Sequence, residues 1–267
     1  MKMVDQVPNS GTLARRCMGL LLCALACGPA LATETLTLCF ENKVVAPWRT
    51  SPKTGLNFEM LNRVEAKADV QFTYQLLPWK RCLAKLKANE VDGAFTVSYS
   101  AERKQYGGFP GGDVADSKKR MHYASYFLIR KKGGTIDWDG TQFHQVNGKI
   151  AFQLGYSVGE QLHQLKVPVD ETNDSLYNVG RKILTGRVAA AAVMDSDAAV
   201  LMHGPLAPQL EMVKIPLVEK PYYLMLSNAL VKARPALAEQ IWKGIEDVRN
   251  GKEYIKLVQA AGVEPAR

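Results

Sequence analysis

The chain has 267 residues, of which 47% are hydrophobic and 22% charged, and it carries a formal net charge of +8. This is a globular composition; it excludes intrinsic disorder, collagen and low-complexity polymers, and the length suits one large domain or two smaller ones. The basic residues are scattered, without the long run of a nucleic-acid tail, so the charge bears on solubility and no nucleic-acid partner is expected.

The first 32 residues read as a targeting segment. Arg15-Arg16 precede the apolar stretch Met18 to Cys27, and Ala30-Leu31-Ala32 closes it. A basic start, a short apolar centre and an Ala-x-Ala end are the parts of a secretory signal. The spacing predicts a signal peptide over 1–32, cleaved after Ala32. Lipid attachment at Cys27 is the alternative, although Ala24-Leu25-Ala26 fits it poorly. The apolar stretch is too short to span a bilayer comfortably. From Thr33 onward the chain is expected to be a soluble periplasmic protein. Of five cysteines, Cys39 and Cys82 then remain. An even pair in an oxidising compartment reads as one disulfide, closing a loop of about forty residues and contributing roughly 3–4 kcal/mol. The other reading is two buried thiols. The four histidines show no ligand spacing, so no metal is expected.

Elements follow in chain order. Leu36 to Phe40 is a strand signal. Gly55 leads into a helix with Phe58, Leu61, Val64 and Ala68 on one face. Val70 to Leu76 alternates as a strand, and Pro78 opens a helix carrying Trp79, Leu83 and Leu86 that ends near Asn89. Val91 to Val97 is a third strand, completing a β-α-β-α-β run with crossover helices. Residues 104–120 read as loop, Met121 to Arg130 as a long extended segment, and Lys131-Lys-Gly-Gly as a break. The alternation restarts with a strand over Lys149 to Leu154. Ser157 and Glu160 match a capping box that starts a helix through Leu165. Asp174 starts a helix ended by Gly186, Val188 to Met194 is a buried strand, and Ala198 to Met202 is a short helix. Strands follow at Leu210 to Ile215 and Tyr222 to Leu226. A long helix runs from Pro235 with Leu237, Ile241, Ile245 and Val248 inward, and a last helix ends at Ala261. Two α/β units with a C-terminal helical pair suggest two lobes.

Several motifs carry a resemblance. Val91-Asp-Gly-Ala-Phe-Thr-Val-Ser-Tyr-Ser-Ala-Glu-Arg103 is a strand followed by an acidic-basic turn. Leu77-Pro-Trp79 enters the second helix. Gly148-Lys-Ile-Ala-Phe-Gln-Leu-Gly155-Tyr-Ser, Thr185-Gly-Arg-Val188, Arg234-Pro-Ala-Leu and Asn250-Gly-Lys-Glu-Tyr254 follow in order. Together they resemble the periplasmic solute-binding proteins of family 3, the polar amino-acid receptors of ABC importers, over nearly all of residues 34–260.

The resemblance implies an α/β, type II periplasmic binding fold: two Rossmann-like lobes joined by a two-strand hinge, with the ligand clamped between them. Lobe 1 is expected at 33–127 and 220–267, and lobe 2 at 128–219. Closure is expected about strands near 121–128 and 217–222. The resemblance further implies that Arg103 forks onto a ligand carboxylate, as a planar guanidinium can, and that Ser98 helps hold it. Read alone, Arg103 is a surface arginine in the charged turn Glu102-Arg103-Lys104, and Ser98 a turn or capping serine. Ser157 is either a ligand contact at a helix N-terminus or only the cap paired with Glu160. Trp79 is either an aromatic wall or core, and Trp48, after Ala46-Pro47, is a second wall candidate. Asp195 is the chosen partner for a ligand ammonium, with Met194 aligning about as well and Asp197 nearby. Near the first strand Glu41 is the candidate acid, with Asn42 beside it. His122, His144, His163 and His203 read as surface or local hydrogen-bonding residues.

No catalytic constellation stands out, there being no Gly-x-Ser-x-Gly elbow, zinc His-Glu pair or phosphate loop. The function expected is a non-enzymatic, cofactor-free, monomeric receptor. It would deliver a small solute, an amino acid or related carboxylate, to an inner-membrane ABC permease. Two alternatives remain. One is a dehydratase resembling cyclohexadienyl dehydratase, with Glu41 as general acid. The other is a ligand-sensing partner of a membrane signalling protein.

Overall fold

Residues 1–3 and 33–263 are described by the computed structural model, so the expected signal segment, its cleavage after Ala32 and the Cys27 alternative lie outside the described residues. The first β-α-β-α-β run forms as β1 (Glu34–Glu41), α1 (Leu56–Ala68), β2 (Val70–Leu77), α2 (Trp79–Lys87) and β3 (Gly93–Ser98). Parallel pairing of β1 with both β2 and β3 follows from the crossover helices between them. Next come β4 (His122–Lys131), a small hairpin of β5 (Asp137–Trp138) and β6 (Phe143–His144), β7 (Ile150–Gln153), α3 (Val158–Gln164) and β8 (Val169–Thr172). They are followed by α4 (Leu176–Leu184), β9 (Ala190–Met194), α5 (Asp195–His203), β10 (Leu210–Met212) and β11 (Val218–Leu226). Helices α6 (Asn228–Ala233), α7 (Pro235–Arg249) and α8 (Lys252–Ala260) close the run. No described helix is long and apolar enough to cross a membrane.

Apart from the β5–β6 hairpin, the strands form one sheet in the order β2-β1-β3-β11-β4-β9-β7-β8, with β10 on β4. Two parallel α/β flanks therefore meet across β11 and β4. Each of these strands serves both flanks. Strand β11 pairs with β4 through Val218 to Tyr222 and with β3 through Tyr222 to Leu226. Strand β4 pairs with β11 through His122 to Tyr126 and with β9 through Tyr126 to Arg130. One core lies under α1 and α7, where Phe58, Leu61 and Val64 meet Ile241, Trp242 and Ile245. A second lies under α4 and α5, around Ile183, Ala191 and Leu201. Burying each large side chain contributes about 1.5–3 kcal/mol. Cys39 of β1 and Cys82 of α2 are bonded, with Cα atoms 5.6 Å apart, which pins the helix that carries Trp79 to the first strand.

Some expected boundaries change. The capping box at Ser157 does not form: Ser157 has helical φ/ψ of −70° and −6°, and its side chain makes no cap bond. Helix α4 is capped by Ser175, which accepts from the Asn178 amide, and not by Asp174. Strand β8, the β5–β6 hairpin and helix α6 have no counterpart in the sequence reading, being short and only partly apolar. Strand β11 starts four residues before Tyr222 because Val218 to Pro221 continue the ladder to β4.

Candidate functional site: a cavity between the two flanks

Arg103 lies in a single 3-10 turn, Glu102–Gln105, just after β3. It is not a surface residue, being only 6% exposed. Its Nη1 donates to the Ser98 carbonyl at 3.0 Å and to Ser98 Oγ at 2.8 Å, and its Nη2 donates to the Gly155 carbonyl at 2.9 Å. Three of the five guanidinium N–H donors are thus committed, leaving one on Nε and one on Nη2. The guanidinium stands 5.6 Å from the Trp79 ring centre. Trp79 donates its indole N–H to the same Gly155 carbonyl at 3.2 Å.

Ser157, expected either as a cap or as a ligand contact, is buried behind Arg103. Its Oγ lies 2.7 Å from Ser98 Oγ. Lys220 of β11 donates to the Ser157 carbonyl at 2.9 Å, and burial pushes its ammonium down to about 8. The chain Lys220–Ser157–Ser98–Arg103 therefore fixes the guanidinium from behind. More bonds tie the flanks together: Tyr156 donates its hydroxyl to Glu41 at 2.7 Å, and Lys43 pairs with Asp197 at 2.6 Å.

Beside these contacts lies a cavity whose empty space, open solvent included, is about 480 Å³. Glu41, Trp79, Ser98 and Arg103, four of the seven residues singled out in the sequence, line it. Tyr126, Tyr156, Tyr222 and Met194 supply further wall. Burial raises the Glu41 carboxyl, against lowering by the Tyr156 hydrogen bond and by Lys43 and Arg49. Thr96 also lines the cavity, at φ +60° in the middle of β3, where the register with β11 slips by one residue. A β-branched residue in the left-handed region costs about 1–3 kcal/mol, a strain that collects at ligand sites.

Trp48 and Asp195 lie elsewhere. Trp48 stacks on His122 with ring centres 4.0 Å apart and faces a second cavity that Asp195 also lines. Asp195 opens α5 and accepts from the Ser125 and Ser196 amides. Met194 holds the place at the cavity wall that the sequence reading considered for an acid.

The sequence pattern of the bacterial extracellular solute-binding proteins, family 3, matches residues 46–261. The chain belongs to this family. No curated protein sequence matches it significantly. The solved structures it resembles include the arginine-, lysine-, histidine-binding protein ArtJ from Geobacillus stearothermophilus. The two share 17% identity at a TM-score of 0.65, covering 87% of this chain and 97% of that one. Another is the ligand-binding core of GluR0 from Nostoc punctiforme in complex with L-glutamate, at 14% identity and a TM-score of 0.63, covering 84% and 98%. A third is the ancestral amino-acid-binding protein AncCDT-1, a precursor of cyclohexadienyl dehydratase, at 15% identity and a TM-score of 0.62, covering 85% and 94%. At these identities the likeness is one of fold: the type II periplasmic binding architecture.

Within this family 3 protein, three of the cavity residues not singled out from the sequence carry buried polar atoms without a partner. Arg49 is 2% exposed, and its guanidinium makes no hydrogen bond among the described residues; it lies 5.3 Å from the Phe40 ring centre. Asn57, in the first turn of α1, is 1% exposed with both amide atoms unpartnered. His122 is buried at 4% exposure, where the sequence reading had it as a surface or local hydrogen-bonding residue. Its local bond does exist: Nδ1 lies 3.0 Å from the Tyr123 carbonyl. A carbonyl only accepts, so Nδ1 carries the proton. Burial pushes the imidazole down to about 4, which leaves Nε2 a bare acceptor without a partner. Gly55 helps place Arg49 and Asn57. At φ +114°, a Cβ there would come within 2.7 Å of the Arg49 Cα and the Trp48 carbonyl. Glycine thus lets the chain fold back, and the Leu56 and Asn57 amides then donate to the Pro47 and Trp48 carbonyls at 3.1 and 3.0 Å. The signal available in the sequence was this glycine at a helix start, two residues before an asparagine.

Proposed function

We propose that this solute-binding protein is a periplasmic receptor that captures a small carboxylated solute, an amino acid or a related acid, for an inner-membrane ABC permease. The observation that carries the reading is Arg103. A guanidinium held by three hydrogen bonds, with two N–H donors to spare at the wall of a cavity, is preorganised for a carboxylate. Lobes at 33–127 with 220–267, and at 128–219, closing about β4 and β11, fit the interflank bonds.

The test is a thermal-shift screen of amino acids and small carboxylates on the chain from Thr33, followed by calorimetry with Arg103→Ala and Arg103→Lys. A ligand that binds the folded state raises apparent stability by mass action. Arg103→Ala is expected to weaken binding by about tenfold to several hundredfold. It is also expected to lower stability, because the Ser98 and Gly155 carbonyls lose a donor. Arg103→Lys restores only part of either. Equal affinities for wild type and Arg103→Ala would sink the carboxylate reading.

A second reading, a dehydratase, has one observation in its favour: Glu41 lines the cavity with its carboxyl raised by burial, as a general acid requires. Incubation with prephenate or arogenate and product analysis decides it, and unchanged substrate excludes it.

A further inference from the structure

The cavity has a second polar end that the Arg103 clamp does not use. Arg49, Asn57 and His122 all line it, each is more than nine-tenths buried, and each presents at least one side-chain atom with no partner. Leaving a buried guanidinium without an acceptor is costly, and at the wall of a cavity that cost is removed when a bound group supplies the acceptor. No side chain supplies it here: Glu41, the acid whose charge bears most on Arg49, makes no ion pair with it and instead accepts from Tyr156.

The two guanidiniums have different neighbours. Arg49 lies over Phe40 and has Glu41 and Tyr156 as its titratable neighbours. Arg103 is fixed by Ser98 and Gly155 and bears on Tyr126, Tyr222 and Lys220. Among the ionisable groups lining the cavity, two arginines face a single carboxyl, Glu41. The space therefore favours an anion at both ends. Asn57 adds a neutral donor and acceptor beside Arg49, and the Nε2 lone pair of His122 accepts from an N–H or O–H on the same ligand.

We propose that Arg49, with Asn57, forms a second carboxylate subsite, so that the solute is a small dicarboxylate spanning the cavity from Arg103 to Arg49. This deepens the proposed function and rests on it. A cationic tail meets an unpaired guanidinium at this end, and an uncharged tail leaves that guanidinium without a counter-charge. Specificity then arises from Arg49, and the Arg103 end is common to every carboxylate.

Calorimetric titration of the chain from Thr33 tests this with matched probes: L-glutamate against L-glutamine, L-aspartate against L-asparagine, glutarate against butyrate, and L-arginine. In at least one pair the dicarboxylate is expected to bind more tightly than its partner by about tenfold to a hundredfold, as a charge-assisted hydrogen bond allows. L-Arginine is expected to bind most weakly. Arg49→Met should erase that gap, and Arg49→Lys should restore part of it. The comparison of probes on the wild-type chain needs no variant to fold. Equal or tighter binding of the amide or monocarboxylate in every pair, or tightest binding of L-arginine, overturns the subsite and leaves the Arg103 reading standing. So does a gap that survives in Arg49→Met. Failure of every carboxylate to bind overturns both.

Discussion

His122 gives the structure a pH dependence whose size can be worked out. The ring is sandwiched between Trp48 and Tyr222, with centres 4.0 and 5.4 Å away and nearly parallel planes. Its Nδ1–H is committed to the Tyr123 carbonyl, and Nε2 has no partner. Burial holds the imidazole neutral down to about pH 4, against an ordinary value of 6.5. The folded-state value is depressed, so between pH 6.5 and 4 the unfolded chain binds a proton that the folded chain does not. Stability contributed by this residue is therefore fully present above about pH 6.5 and falls as pH drops toward 4. A displacement of that size amounts to about 3 kcal/mol in all, and about 2 kcal/mol is already lost between pH 7 and pH 5. Urea unfolding of wild type and His122→Phe at both pH values isolates the term. Phenylalanine keeps the stack and does not titrate, and carboxylates elsewhere cancel in the difference. Wild type should lose about 2 kcal/mol more than the variant on going from pH 7 to pH 5. An equal loss in the two proteins would show that His122 is solvated or paired, and would refute the account of a buried neutral ring.

Two further outcomes follow from the scaffold. Reduction of the Cys39–Cys82 bond, or the double change to serine, should lower unfolding stability by roughly 3–4 kcal/mol through the loop it closes, measured by urea unfolding with and without reductant; an unchanged midpoint contradicts the bond. Gly55→Ala should cost about 1–3 kcal/mol, because the residue sits at φ +114° and the new Cβ meets the Arg49 backbone. It should also weaken binding of whichever probe engages Arg49, and a stable variant with unaltered selectivity would separate the turn from the site.

The sheet was legible wherever apolar alternation was long. Strands β1, β2, β3, β7 and β9 and helices α1, α2 and α7 each carry enough periodic apolar positions to declare themselves. The β5–β6 hairpin has two residues per strand, and β8 buries little, so tertiary pairing made these elements and local pattern did not. At the site, the sequence pointed to Arg103 and Trp79 through the segments around them. Arg49 and Asn57 carried no such mark. They reach the cavity only because the chain folds back at Gly55 onto the start of α1, which is a property of the turn and not of either residue. Ser157 shows the converse. A capping box fits its local sequence, yet a serine hydroxyl 59 residues away offered a better partner than the helix end.

One oxygen in the structure has an unusual load. The Gly155 carbonyl accepts from both the Trp79 indole and the Arg103 guanidinium, while the Gly155 amide donates to Glu171 at 2.9 Å. Trp79 and Arg103, both on the first flank, are thereby keyed to a single peptide plane of the second. Neither can adjust without the other feeling it, and any separation of the flanks would break both bonds in one event. If Arg103 grips an acid group as proposed, a change at Trp79 meant to widen the binding space will retune that grip as well. Altering what is recognised and altering how readily it is released would then be the same structural act.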